Sequence, residues 1–129
     1  MAEELLVNMQ GQILQDGKNI PLVVIRPTII AAAHNEPFPG WTDSLGLMSG
    51  MYAIAGHGIL RDLPINPQLI GDQVPVDFVS NQLLAAQAYH VLQFRESGGK
   101  SNLLITHCSS SASNGVTWGD VIKIMIDYF

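Results

Sequence analysis

The stretch Pro21-Leu22-Val23-Val24-Ile25-Arg26-Pro27 constrains the fold more than any other part of the chain. Four consecutive apolar residues, three of them β-branched, make a strand that is apolar on both faces. Such a strand belongs in a parallel sheet covered by helices, the layered arrangement of α/β proteins. Leu103-Leu104-Ile105-Thr106-His107 reads as a second short buried strand. Parallel neighbours need a long crossover connection, and the intervening sequence supplies one.

Ahead of the first strand, Ala2 to Gln15 reads as a helix whose Leu5, Leu6, Met9, Ile13 and Leu14 form one apolar stripe, with Gly17 as its stop. No capping residue precedes this helix, which reads as a missing upstream segment. Pro27 to Gly40 reads as loop, with a rigid turn at Pro37-Phe38-Pro39-Gly40-Trp41. Ser44 to Ala55 reads as a Gly-broken helix. Ile59 to Arg61 and Gln73 to Pro75 read as short strands around the Pro64 to Pro67 turn. Asp77 is placed as the N-cap of a helix from Phe78 to Phe94, ended by Gly98-Gly99. Ser109 to Asn114 reads as polar loop, and Thr117 with Asp120 as a capping box for a last helix striped with Val121, Ile122, Ile124 and Met125. The sum is an α/β chain with two main-sheet strands, too few for a stable open sheet by itself.

Composition points the same way. The length, 129 residues, suits a single domain spanning the whole chain. Charged residues are 13%, against about 25% in an ordinary soluble domain. A chain with so little charge hides an apolar face against a partner or belongs to something larger. A net charge of −5 with six Lys and Arg leaves no basic footprint for nucleic acid. The single cysteine, Cys108, excludes an internal disulfide and suits a reducing, intracellular compartment. The acidic start Met1-Ala2-Glu3-Glu4 argues against a targeting peptide, and the uncharged Ser44 to Leu60 stretch, broken by glycines, falls short of the ~20 apolar residues of a membrane span.

No catalytic or metal-ligating residue is assigned. His34, His57, His90 and His107 show no ligand spacing. His107 and Cys108 point to opposite faces of a strand and do not meet. Gly56-His57-Gly58 lacks the third glycine of a phosphate loop, and Ser109-Ser110-Ser111 lacks a nucleophile elbow. Met48, Met51, Tyr52 and Ile54 form a soft apolar group that reads either as core or as the wall of an acyl-chain pocket. Pro27-Thr28-Ile29-Ile30 follows the C-terminal end of the first strand, where ligands of open α/β sheets bind.

Leu22 to Ile30 followed by Glu36-Pro37-Phe38-Pro39-Gly40-Trp41-Thr42-Asp43 resembles the fatty acyl-CoA reductase family, the male-sterility group, whose members carry RPSIV or RPSII and then EPxPGWxDN. Gly56 to Arg61 is similar to its GKGxxR, Val74 to Asn81 to its IPVDxVVN, and Ser109 to Trp118 to its SGxxNPxTW, here with Gly115 in place of proline. The resemblance implies a partial Rossmann domain of the extended short-chain dehydrogenase type: the last two parallel strands, their helices and a substrate-side insertion. It implies NADPH as cofactor and reduction of a long-chain fatty acyl-CoA to a fatty alcohol. Pro27, Thr28, Ile29 and Ile30 line the nicotinamide end, largely through backbone groups; Trp41, Met48, Met51 and Tyr52 shape the acyl side. The family's YxxxK and GxxGxxG lie upstream of Met1 by this resemblance, so the chain alone is expected to be inactive and its apolar face to need the missing half-domain or a partner. The family suggests membranes of the peroxisome or endoplasmic reticulum. Another extended short-chain dehydrogenase, such as a thioester reductase domain, and a non-catalytic interaction module remain as alternatives; Gly40-Trp41 argues for the acyl-CoA reductase.

Overall fold

The computed structural model describes residues 2–10, 21–100 and 103–129. The chain divides into two compact units, Met1–Arg26 with Ser80–His107, and Pro27–Val79 with Cys108–Phe129.

The first unit holds α1 (Ala2–Gln10), β1 (Val23–Pro27), α3 (Val76–Glu96) from Ser80 onward, and β4 (Leu104–Cys108). The expected continuation of α1 to Gln15, and its stop at Gly17, lie outside the described residues. Strands β1 and β4 pair in a two-stranded sheet. At one end Leu104 N donates to Leu22 O at 3.3 Å, and at the other Thr28 N donates to Cys108 O at 3.0 Å. The partners' numbers rise together along both strands, so the pair is parallel. Val23, Val24 and Ile25 are nevertheless only half-buried. A two-stranded sheet leaves a strand with two apolar faces incompletely covered by the described residues, so the expectation of full burial does not hold. Gln82 fastens α3 to β4, its Nε2 donating to Thr106 Oγ1 and His107 O, each at 3.1 Å. Gly98 and Gly99 stop α3 at positive φ, with Gly99 N donating back to Phe94 O at 2.9 Å. Arg26 grips Glu3 through Nε and Nη2 at 2.8 and 2.5 Å. This fork lowers the Glu3 carboxyl, but in an exposed position it adds little stability. Leu5, Leu84 and Leu92 also stand exposed on α1 and α3.

The second unit is built on a parallel pair, β2 (Ile29–Ala31) and β3 (Gln73–Pro75), in the register Ile29↔Gln73, Ile30↔Val74, Ala31↔Pro75. Helix α2 (Leu47–Gly56) packs on β2. A short helix, α4 (Ser111–Asn114), precedes α5 (Trp118–Tyr128). Ala33, Met48, Val74, Cys108 and Val121 are its buried apolar residues. Two strand assignments are corrected. Ile29–Ala31 is strand, not loop: its partner lies more than forty residues downstream, and so distant a register leaves no local signature. Ile59–Arg61 is not a strand, because Ile59 N and Leu60 N both donate to Ile54 O and turn the chain back onto the end of α2. Likewise Ser111–Asn114 winds into a turn of helix around the Ser110 carbonyl, which accepts from Ser113 N and Asn114 N.

The capping box of α5 is complete. Thr117 Oγ1 accepts from Asp120 N at 3.2 Å, and Asp120 Oδ2 accepts from Thr117 N at 3.1 Å. Helix α5 therefore starts where the sequence places it. Among the described residues no helix is long and apolar enough to cross a membrane. Thr117→Ala is expected to cost about 1 kcal/mol, seen as a lower urea midpoint together with faster amide exchange in the first turn of α5.

Candidate functional site

The segment that follows β1 is held by the carboxylate of Asp72. Thr28 Oγ1 donates to Asp72 Oδ1 at 3.3 Å, and Ile29 N donates to the Asp72 carbonyl at 3.1 Å. The same Oδ1 accepts from Ser110 N at 3.0 Å and Ser110 Oγ at 3.2 Å, and Ser110 Oγ lies 2.7 Å from the Gln73 carbonyl. Burial works to raise the Asp72 carboxyl, but hydrogen bonds from Ser110, Ser111 and Thr28 outweigh it and hold the group below its ordinary value. Thr28, Ile29 and Ile30 line a cavity of about 710 Å³ with Ile70, Asp72 and Trp118. Pro27 closes β1 and is not among the lining residues. The N–H groups of Thr28 and Ile29 are already bonded within the protein and are not free to donate to a ligand.

A second carboxylate organises the turn around Trp41. Asp77 Oδ1 accepts from His34 N at 3.0 Å, and Oδ2 accepts from Asn35 N at 2.9 Å and Glu36 N at 3.2 Å. These backbone donors, His34 foremost, lower its pKa to about 2. Asp77 is therefore not the N-cap that the sequence suggests. It lies inside the first turn of α3, which starts at Val76, and its side chain clamps a loop some forty residues upstream. Downstream of that clamp, Ala33 N donates to Trp41 O and Gly40 N to Ala33 O, with Gly40 at φ +80°. Trp41 lines a cleft of about 190 Å³ with Ile30, Thr42, Ser44 and Ser49.

Helix α2 presents consecutive residues to two different grooves. Met51 lines an apolar groove of about 450 Å³ with Ala55, Trp118, Val121, Met125 and Phe129. Tyr52 lines one of about 400 Å³ with Gln73, Val116, Val121, Met125 and Phe129. The Tyr52 hydroxyl donates to Gln73 Oε1 at 2.8 Å, burial raises its pKa, and Gln73 Nε2 is buried without a partner. Met48 is buried and borders neither groove.

Of the residues chosen from sequence, the structure thus joins Thr28, Ile29 and Ile30, links Ile30 to Trp41, and separates Met51 from Tyr52. Asp72, Gln73, Ser110 and Trp118 also belong to this site, and no local sequence pattern marks them as site residues. The Val121 to Met125 stripe was legible, but nothing in it specified α2 as its neighbour. Cys108 is buried and its thiol is pushed up by burial, which does not suit a nucleophile. Among the described residues no group of three or more His, Cys, Asp or Glu is placed to hold a metal.

Parallel strand pairs flanked by helices, with a cavity beside the segment that leaves β1, make this a mixed α/β chain. The chain belongs to the male sterility protein family, a family of NAD-binding domains, whose pattern it matches over residues 2–83. It is 36% identical over 112 residues to a probable fatty acyl-CoA reductase 5 of Arabidopsis thaliana, covering 87% of this chain and 21% of the relative. It is 35% identical over 115 residues to fatty acyl-CoA reductase 1 of Xenopus laevis, covering 89% and 21%. With fatty acyl-CoA reductase 2 of Bos taurus the identity is 38% over 105 residues, covering 81% and 19%. The chain spans about a fifth of the length of these relatives.

The Asp77 clamp has a defined pH dependence. Its pKa is depressed on folding from an ordinary 3.8 to about 2, so its contribution to stability is present above the unfolded pKa and is lost as pH falls through the folded one. Asp77→Asn is expected to be less stable than the parent at neutral pH, with the gap closing between about pH 4 and about pH 2. Denaturant midpoints of both proteins across that range test this.

Proposed function

We propose that this chain is the C-terminal part of a single NAD(P)-binding reductase domain, in an enzyme that uses NADPH to reduce a long-chain fatty acyl-CoA to a fatty alcohol. Family membership and the 35–38% identity to proteins named fatty acyl-CoA reductase support the reading. The observation that carries it is the segment leaving β1, drawn against Asp72 and bordering a cavity lined by Ile29, Ile30 and Ile70 with Thr28 and Asp72. Such a lining would suit a nicotinamide: the apolar side chains could pack on a flat ring, and the Thr28 and Asp72 side chains could supply polar contacts to a carboxamide.

When bound, the cofactor supplies hydride to the acyl carbonyl. Residues of this chain orient and exclude water. Thr28, Ile29 and Ile30, with Pro27 setting the end of the strand, form the cofactor-side wall. Asp72 positions that wall by holding Thr28 and Ser110 at once. On the substrate side Met51, Tyr52 and Trp41 each border a separate cleft, Met48 is buried in the core, and the Asp77 clamp keeps the Trp41 turn in place.

The test is a chimera in which this chain replaces the matched stretch of the Xenopus laevis relative. It is expected to form fatty alcohol from a long-chain acyl-CoA and NADPH. A folded chimera that oxidises no NADPH in the presence of acyl-CoA overturns the reading. Within an active chimera, Asp72→Ala is expected to raise the KM for NADPH roughly tenfold, the effect of losing a few hydrogen bonds, with a smaller change in the KM for acyl-CoA. Steady-state kinetics in both substrates measure the two separately.

A further inference from the structure

We propose that the groove between α2 and α5 holds the hydrocarbon tail of the acyl substrate, an assignment that rests on the reductase reading above. At about 450 Å³ the groove falls in the usual range of ligand pockets, and its wall is largely hydrocarbon: Met51, Ala55, Val121, Met125 and Phe129. Methionines suit a flexible chain, because an unbranched, polarizable side chain adapts to it. Arg61 and Asp62, adjacent in sequence, are the charged residues on its border, so the groove is arranged for a ligand that is mostly apolar with one polar part.

Two aromatic rings in the wall are seated on glycines. A Cβ at Gly56 would lie 2.5 Å from the Phe129 ring, and one at Gly71 would lie 3.0 Å from the Trp118 ring. Any larger residue at Gly56 has to displace the ring that closes this side. Trp118 is also the link to the chemistry, since it lines both this groove and the cavity formed by Thr28, Ile29 and Ile30. A tail lying along α5 would therefore share Trp118 as a wall with the cofactor-side cavity. The cleft beside Trp41 does not offer the same fit. It measures about 190 Å³, and its lining includes the hydroxyls of Thr42, Ser44 and Ser49.

Photolabelling tests the assignment with a palmitoyl-CoA that carries a diazirine at the end of its chain, applied to the full chain alone and within the chimera. Label is expected in peptides covering Met48–Gly56 and Trp118–Phe129. It should fall several-fold with excess unlabelled long-chain acyl-CoA, and with Ala55→Leu, which fills the groove. Competition needs no variant, so it remains decisive if Ala55→Leu does not fold. Label concentrated on Trp41–Ser49, label that unlabelled acyl-CoA does not displace, or no label overturns the assignment. Competed label in the groove of a chimera that forms no alcohol separates the two ideas: the reductase reading falls and the tail site stands.

Discussion

One carboxylate gathers the segments that leave β1 and β4. Asp72 accepts from the Thr28 hydroxyl just after β1 and from Ser110 just after β4, while its carbonyl takes the Ile29 N–H. Remove it, and two hydroxyls and two backbone segments lose a shared partner in a partly buried place, where unpaired polar groups are costly. The neighbouring Gln73 extends the tie, accepting from Ser110 Oγ through its carbonyl and from Tyr52 through its side chain. Two adjacent residues thereby connect the candidate cofactor wall, the serine turn and α2.

The low charge content gives this arrangement its character. With only six Lys and Arg, ion pairs contribute little, and the main acidic residues find neutral donors instead. Asp72 is held by hydroxyls and one N–H, Asp77 by backbone N–H groups of His34, Asn35 and Glu36, and Asp120 by Thr117. Each remains ionised well into the acid range because hydrogen bonds favour the charged form. Each also fixes backbone at the edge of an element or in the loop that follows it. Loops that carry candidate site residues are thus made definite by short-range bonds to carboxylates, which salt screens less than it screens distant charge pairs.

The apolar side of the site follows a different rule. Its walls are side chains of α2 and α5, and their approach depends on small residues where rings must fit, with Phe129 over Gly56 and Trp118 over Gly71. Methionines at 51 and 125 leave the groove adaptable rather than filled. A polar hinge at Asp72 and an apolar groove along α5 meet at Trp118, which lines the cavities on both sides.

The sequence by itself determined the elements whose signals are local. The apolar run at Val23–Ile25 made a strand, the Gly98-Gly99 pair stopped α3, and Thr117 with Asp120 started α5, because each depends on residues within a few positions. The motifs Glu36 to Asp43 and Val74 to Asn81 likewise carry the family resemblance in the sequence alone. Tertiary structure alone decided that Ile29–Ala31 is a strand, that Asp77 clamps a distant loop rather than capping its own helix, and that Met51 and Tyr52 face different grooves. Those outcomes turn on partners tens of residues away. A three-residue strand or a single carboxylate has no periodicity of its own, so its role exists only once the fold has brought its partner to it.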